Sequence, residues 1–143
     1  MNTSGIVAVI SAAAGVIVAA VSFYLTKKKE READWRKYKY EQYKEFLASI
    51  SGTVGTDSTP EGNRDFAKAC NTLHLIGTRG VIAALHAYQD EVRVSNPNHS
   101  VVMHDALLSK LIWEIRKDVG IPGTPEAAEF SVHLWCSGTN PKE

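Results

Sequence analysis

A chain of 143 residues suffices for one domain, and committing its first quarter to a membrane leaves about a hundred residues for a single small core. That length leaves no room for a large enzyme. Formal net charge is zero, yet Lys27 to Glu45 holds eight Lys and Arg against five Asp and Glu, so a basic stretch adjoins the apolar start of the chain. The two cysteines, Cys70 and Cys136, are far apart and form no CxxC, which argues against a disulfide scaffold and fits reduced thiols in a cytoplasm.

From Met1 to Thr26 there is no charged side chain, and Gly5 to Leu25 is an apolar segment of about 20 residues, enough as a helix to cross the roughly 30 Å of bilayer hydrocarbon. A cleaved secretory signal needs a positive N-terminal region; Met1 to Ser4 carries no Lys or Arg, and the charges "KKKERE" come after the apolar run instead. Residues 1–26 are therefore read as a transmembrane anchor. Basic residues beside a span stay on the cytoplasmic side, which places the N-terminus outward and residues 27–143 in the cytoplasm as a helical domain. Phe23 and Tyr24 fall where an interfacial aromatic belt lies, and Lys27, Lys28 and Lys29 reach toward lipid phosphates. Within the span, Ser11, Gly15 and Ala19 recur every four residues, with Ala8 and Ala12 on a neighbouring face. Small side chains at that spacing let two membrane helices approach closely, so self-association is expected on this face; the alternative is that Ala and Gly are ordinary in a weakly apolar span.

The helical pattern continues past Lys29. Trp35, Tyr43, Phe46, Leu47 and Ile50, with the stem of Lys39 among them, form one stripe, so the span and the first cytoplasmic helix read as one rod ending at Gly52. "SGTVGTDSTPEG" is a loop that closes on a helix start, with Ser58 or Thr59 as N-cap and Pro60 and Glu61 in the first turn. The second helix carries Phe66, Cys70, Leu73 and Ile76. A third, over 80–94, presents Val81, Leu85, Tyr88 and Val92, and "SNPNHS" breaks it. The fourth, over 101–119, buries Leu108, Leu111, Ile112, Ile115 and Val119 and stops at Gly120, with Pro122 just beyond. The fold class is all-α, a transmembrane helix running into a four-helix cytoplasmic bundle. "EFSVHLWCSG" alternates Phe130, Val132, Leu134 and Cys136 and reads as a short extended segment that either packs along the bundle or pairs between copies.

Chemistry is harder to find. The step His104-Asp105 resembles the metal-binding step of helical HD phosphohydrolases, which also need an earlier histidine and a later aspartate; His74 and Asp118 are the residues available. Helical projection, however, sets His104 on the face of Leu108 and Ile115, which favours a partly buried core histidine. Arg93 and His99, in "RVSNPNH", are formally similar to the Arg and His pair of HEPN ribonucleases, where His99 would act as general acid or base and Arg93 would hold the phosphate. Val94 departs from that family's preference for a polar residue after the arginine, and an exposed Asn-Pro turn is the plainer account. His86, Asp90 and Glu91 lie within one turn, but a di-metal bundle needs a matching set on other helices. Cys70 reads as packing, and Trp113, off the main stripe of its helix, as a second packing face rather than an exposed anchor. No phosphate loop, dinucleotide glycine motif or nucleophile elbow is present, and neither cofactor nor metal is expected.

The span with "KKKEREADWRKYKYEQYKEFLASISG", "TPEGNRDFAKACNTLHLIG", "ALHAYQDEVRVSNPN" and "HDALLSKLIWEIRKDVGI" together resemble a group of small bacterial proteins with one N-terminal span and a helical cytoplasmic domain. That resemblance implies a bacterial inner-membrane location and transfers no functional residue. The expected function is a membrane-anchored, non-enzymatic interaction or oligomerisation module whose partners are the bilayer, further copies of the chain and an unidentified protein, with no nucleic acid. An oligomerising membrane effector of the stress or phage-defence type is the alternative, and a small hydrolase at Arg93 and His99 or His104 and Asp105 the third reading.

Overall fold

Helix α1 runs from Thr3 to Ser51 without a break. No proline interrupts it, and the Ala, Val and Ile of its first half give way to Lys, Glu, Arg and Tyr without a glycine at the junction, so nothing in the sequence ends the helix early. The coordinates, a computed structural model, describe residues 2–138. By compactness the chain divides into two units, Met1–Tyr38 and Lys39–Glu143. In the first unit every described side chain is exposed, and its apolar part is long and apolar enough to cross a membrane.

The second unit begins within α1. Lys39, Tyr43, Phe46 and Ile50 are buried at spacings of four, three and four residues, the single stripe that a helix presents to a core. Trp35 does not belong to it: the ring is 50% exposed and stacks on Tyr38 at 5.5 Å. Lys39 contributes more than its stem, because its ammonium lies 2.7 Å from the Asp118 carboxylate, which also accepts a hydrogen bond from the Tyr43 hydroxyl. With side chains only 10% and 5% exposed, Lys39 and Asp118 satisfy the two conditions on which a charged pair is tolerated indoors, close pairing and further hydrogen bonding.

Two glycines turn the chain back. A Cβ placed on Gly62 would lie 2.1 Å from the Gly52 carbonyl oxygen, so the end of α1 and the start of the next helix touch backbone to backbone. Between them runs a short 3-10 turn, Gly55–Asp57. Helix α2, Pro60–Ile76, starts as predicted: Thr59 is the N-cap, its hydroxyl accepting the Gly62 N–H at 3.0 Å, and Pro60 fills the first position. Helix α3 spans Arg79–Val92, two residues shorter at its end than its pattern suggests, because Arg93 adopts an extended backbone and leaves Val94 fully exposed. Helix α4, Val101–Val119, ends on Gly120 in the left-handed conformation, whose N–H bonds back to the Arg116 and Lys117 carbonyls.

The core is one cluster. Phe46 and Ile50 of α1, Cys70 and Leu73 of α2, Val81, Leu85 and Tyr88 of α3, and Leu108 and Leu111 of α4 are at most 2% exposed. Phe66 joins Phe46 to Tyr88 through ring contacts at 5.9 and 6.3 Å. Full burial of each Leu, Ile or Phe contributes about 2 kcal/mol. Trp113 packs as expected: its indole N–H donates to the Pro125 carbonyl at 2.9 Å, and the Lys110 and Lys117 ammonium groups lie 4.4 and 5.0 Å from the ring.

The tail is extended, with no strand among the described residues. Phe130, Val132, Leu134 and Cys136 are half-buried in alternation and lie along the bundle of their own chain. Its backbone pairs with side chains in place of a second strand: the Val132 N–H donates to Ser109 Oγ at 2.9 Å, and the Ser137 N–H to Asp57 Oδ2 at 2.7 Å. Trp135, on the opposite side of the alternation, is 93% exposed.

Candidate functional site

A cleft of about 710 Å³ opens in the second unit where the α3–α4 turn, the 53–55 loop and the tail meet. Phe66, Val92 and Leu134 supply its apolar wall. Its polar wall contains all four residues singled out as possible catalysts, Arg93, His99, His104 and Asp105, together with Tyr88 and Glu91.

Glu91 organises the "SNPNHS" turn. Its side chain is 8% exposed, and the carboxylate accepts from the Ser100 N–H at 2.7 Å and the Asn96 amide at 3.3 Å, with His99 Nδ1 at 3.2 Å. Asn96 also donates to the Glu91 carbonyl at 2.9 Å. The turn therefore folds around a buried acid, the polar partner that such a group needs when out of water. Arg93, by contrast, is on the surface and lies 3.4 Å from Asp90.

His104 is half-buried on the core face, as its position relative to Leu108 implies. Nδ1 faces Asp105 Oδ1 at 3.0 Å and Nε2 faces the Tyr88 hydroxyl at 3.0 Å. A carboxylate only accepts, so the neutral ring carries its proton on Nδ1 and Nε2 accepts from Tyr88. His133 from the tail donates through Nδ1 to the other oxygen of Asp105 at 3.0 Å. The hydrogen bonds from His104 and then His133 hold the Asp105 carboxyl below the usual aspartate value. Burial pushes the Tyr88 phenol up to about 12, aided by nearby Cys70 and Asp105. That phenol stays protonated at neutral pH and donates to His104; it is neither base nor nucleophile there. Burial likewise raises the Cys70 thiol to about 11, consistent with packing and not reactivity.

The four-ligand HD arrangement does not form. His74 Nε2 lies 2.9 Å from His86 Nε2, and Asp118 is taken by Lys39 and Tyr43, so neither joins His104 and Asp105. His86, Asp90 and Glu91 also go separate ways, to His74, Arg93 and the turn respectively. What the sequence did not disclose is the line Tyr88, His104, Asp105, His133: these residues come from α3, α4 and the tail, and only the adjacent pair His104-Asp105 is visible before folding.

In the first unit Ser11, Gly15 and Ala19 lie one turn apart on exposed surface, and a Cβ added at Gly15 would meet nothing within 4 Å. Phe23 and Tyr24 are exposed. Lys27 lies 2.7 Å from Glu30 with its ammonium 6.0 Å from the Phe23 ring, Lys28 lies 3.9 Å from Glu32, and Lys29 is exposed. Comparison of the chain with protein-family models, curated proteins and solved structures finds no match.

Proposed function

We propose that this protein is a membrane-tethered interaction module without catalytic activity, held in a bacterial inner membrane by one span, with its N-terminus outward and the helical domain in the cytoplasm. One observation carries the reading. The uncharged residues 2–26 are exposed, and their helix continues through Lys27 to Lys29 to enter the domain core at Lys39. A core helix of a soluble protein would bury such a surface, and a cleavable signal would carry its basic residues before the apolar run rather than after it. The lysines that follow the span support this orientation. Copies associate through Ser11, Gly15 and Ala19, and the cleft beside the "SNPNHS" turn receives the protein partner.

Protease treatment of spheroplasts and of inverted vesicles tests the orientation: the helical domain should be digested only in inverted vesicles. Digestion from the outer side of spheroplasts would refute it. In detergent, Gly15→Leu should reduce the oligomeric mass of the full chain, and an unchanged mass removes the association face.

A further inference from the structure

We propose that His74 and His86 form a two-imidazole clamp for a divalent transition-metal ion, fastening α2 to α3 from the outside. The inference is independent of the membrane reading and departs from the expectation of no metal. The two Nε2 atoms face each other at 2.9 Å, with ring centroids 5.1 Å apart. His74 Nδ1 lies 3.0 Å from the Cys70 carbonyl oxygen, one turn back on its own helix. A carbonyl only accepts, so Nδ1 carries the proton and the Nε2 lone pair points at His86; this backbone anchor is the outer support that metal-binding histidines use to fix tautomer and ring orientation. The proton between the rings then sits on His86 Nε2, and a shift of His86 to its Nδ1–H tautomer, with no net loss of a proton, frees both Nε2 lone pairs to act as ligands.

The two nitrogens lie within chelating reach of one ion: with metal–nitrogen distances of about 2.05 Å, a separation of 2.9 Å corresponds to an angle of about 90° at the metal. Because the 5.1 Å between centroids sets both ring axes close to the N–N line, each ring must also turn for its lone pair to meet an ion beside that line. A tetrahedral Zn²⁺ needs the nitrogens to part by only about 0.4 Å. Among the described residues no set of three or more His, Cys, Asp or Glu converges, so the remaining positions belong to water, which the exposed side chains admit. The turn between the two helices is close-packed: a Cβ on Gly77 would meet the Leu73 carbonyl oxygen at 3.0 Å and Val81 Cγ1 at 3.2 Å.

The test is titration of the untagged full-length protein in detergent with NiCl₂, read by calorimetry and by the thermal midpoint. One Ni²⁺ should bind per chain, and an excess of tenfold over the dissociation constant should raise the midpoint by about 5 °C. His86→Ala, an exposed substitution that leaves the core untouched, and His74→Gln should each weaken binding at least about tenfold, while His133→Ala leaves it unchanged. No binding up to millimolar Ni²⁺, or binding that survives in His86→Ala, overturns the proposal.

Discussion

Lys39, Tyr43 and Asp118 are the residues on which the first helix meets the rest of the domain through charge. Removing one member of a buried pair leaves the other charged and unpartnered, so Lys39→Met should cost about 3 kcal/mol, whereas Lys39→Met combined with Asp118→Leu should recover most of that loss. Urea denaturation of the full chain in detergent reads both. Asp105 makes a pH prediction. Its folded value lies below the unfolded one, so its contribution is present above the unfolded aspartate value and disappears as pH falls through the folded value. Asp105→Asn should flatten the acid limb of the stability curve and leave the neutral region nearly level. Cys70 acts with the opposite sign: with the thiol raised from 9.0 to about 11, its contribution is full below pH 9.0 and fades as pH rises through 11. Cys70→Val should remove that part of the alkaline loss. The acid network was only partly legible: His104 and Asp105 are neighbours in sequence, but nothing in the sequence brings His133 or the Tyr88 hydroxyl to them.

At the scale of elements, the helices follow from periodicity and their ends from capping chemistry. Thr59 before Pro60 and Gly120 after Val119 mark boundaries that the backbone reproduces. Helix α3 ends two residues before its apolar pattern does, because Val94 continues that pattern while the Glu91, Asn96 and Ser100 hydrogen bonds pull the chain into a turn. Trp35 has the right spacing for the stripe, yet the buried residues of α1 begin only at Lys39. The meeting of Gly52 and Gly62 was invisible in sequence, since both fall in a loop-like stretch and only the packed helices make the absence of a side chain necessary. Gly62→Ala should therefore destabilise the domain by about 3 kcal/mol, far more than a helix propensity argument allows, because alanine is the better helix former. The alternation of the tail was legible, but its partners were not, as they are the side chains of Ser109, Asp105 and Asp57. Ser109→Ala leaves the Val132 N–H without its acceptor, so amide hydrogen exchange should lose protection at Val132 while α4 keeps its own.

For the whole molecule, one uninterrupted helix carries both an uncharged, exposed apolar segment and four residues of a packed core. The helix that supplies Tyr43, Phe46 and Ile50 to the core thus begins in the segment that the proposed anchoring would set in lipid. Charge is uneven along the chain, with eight of the sixteen Lys and Arg residues at Lys27 to Lys44, where an anionic lipid surface would meet them. The measurement that bears most directly on this account is alkaline extraction of membranes from expressing cells, followed by the intact mass of the recovered protein. The account predicts a chain that resists extraction and retains its apolar N-terminal segment; a protein released into the soluble fraction, or one cut between Leu25 and Lys29, would contradict it.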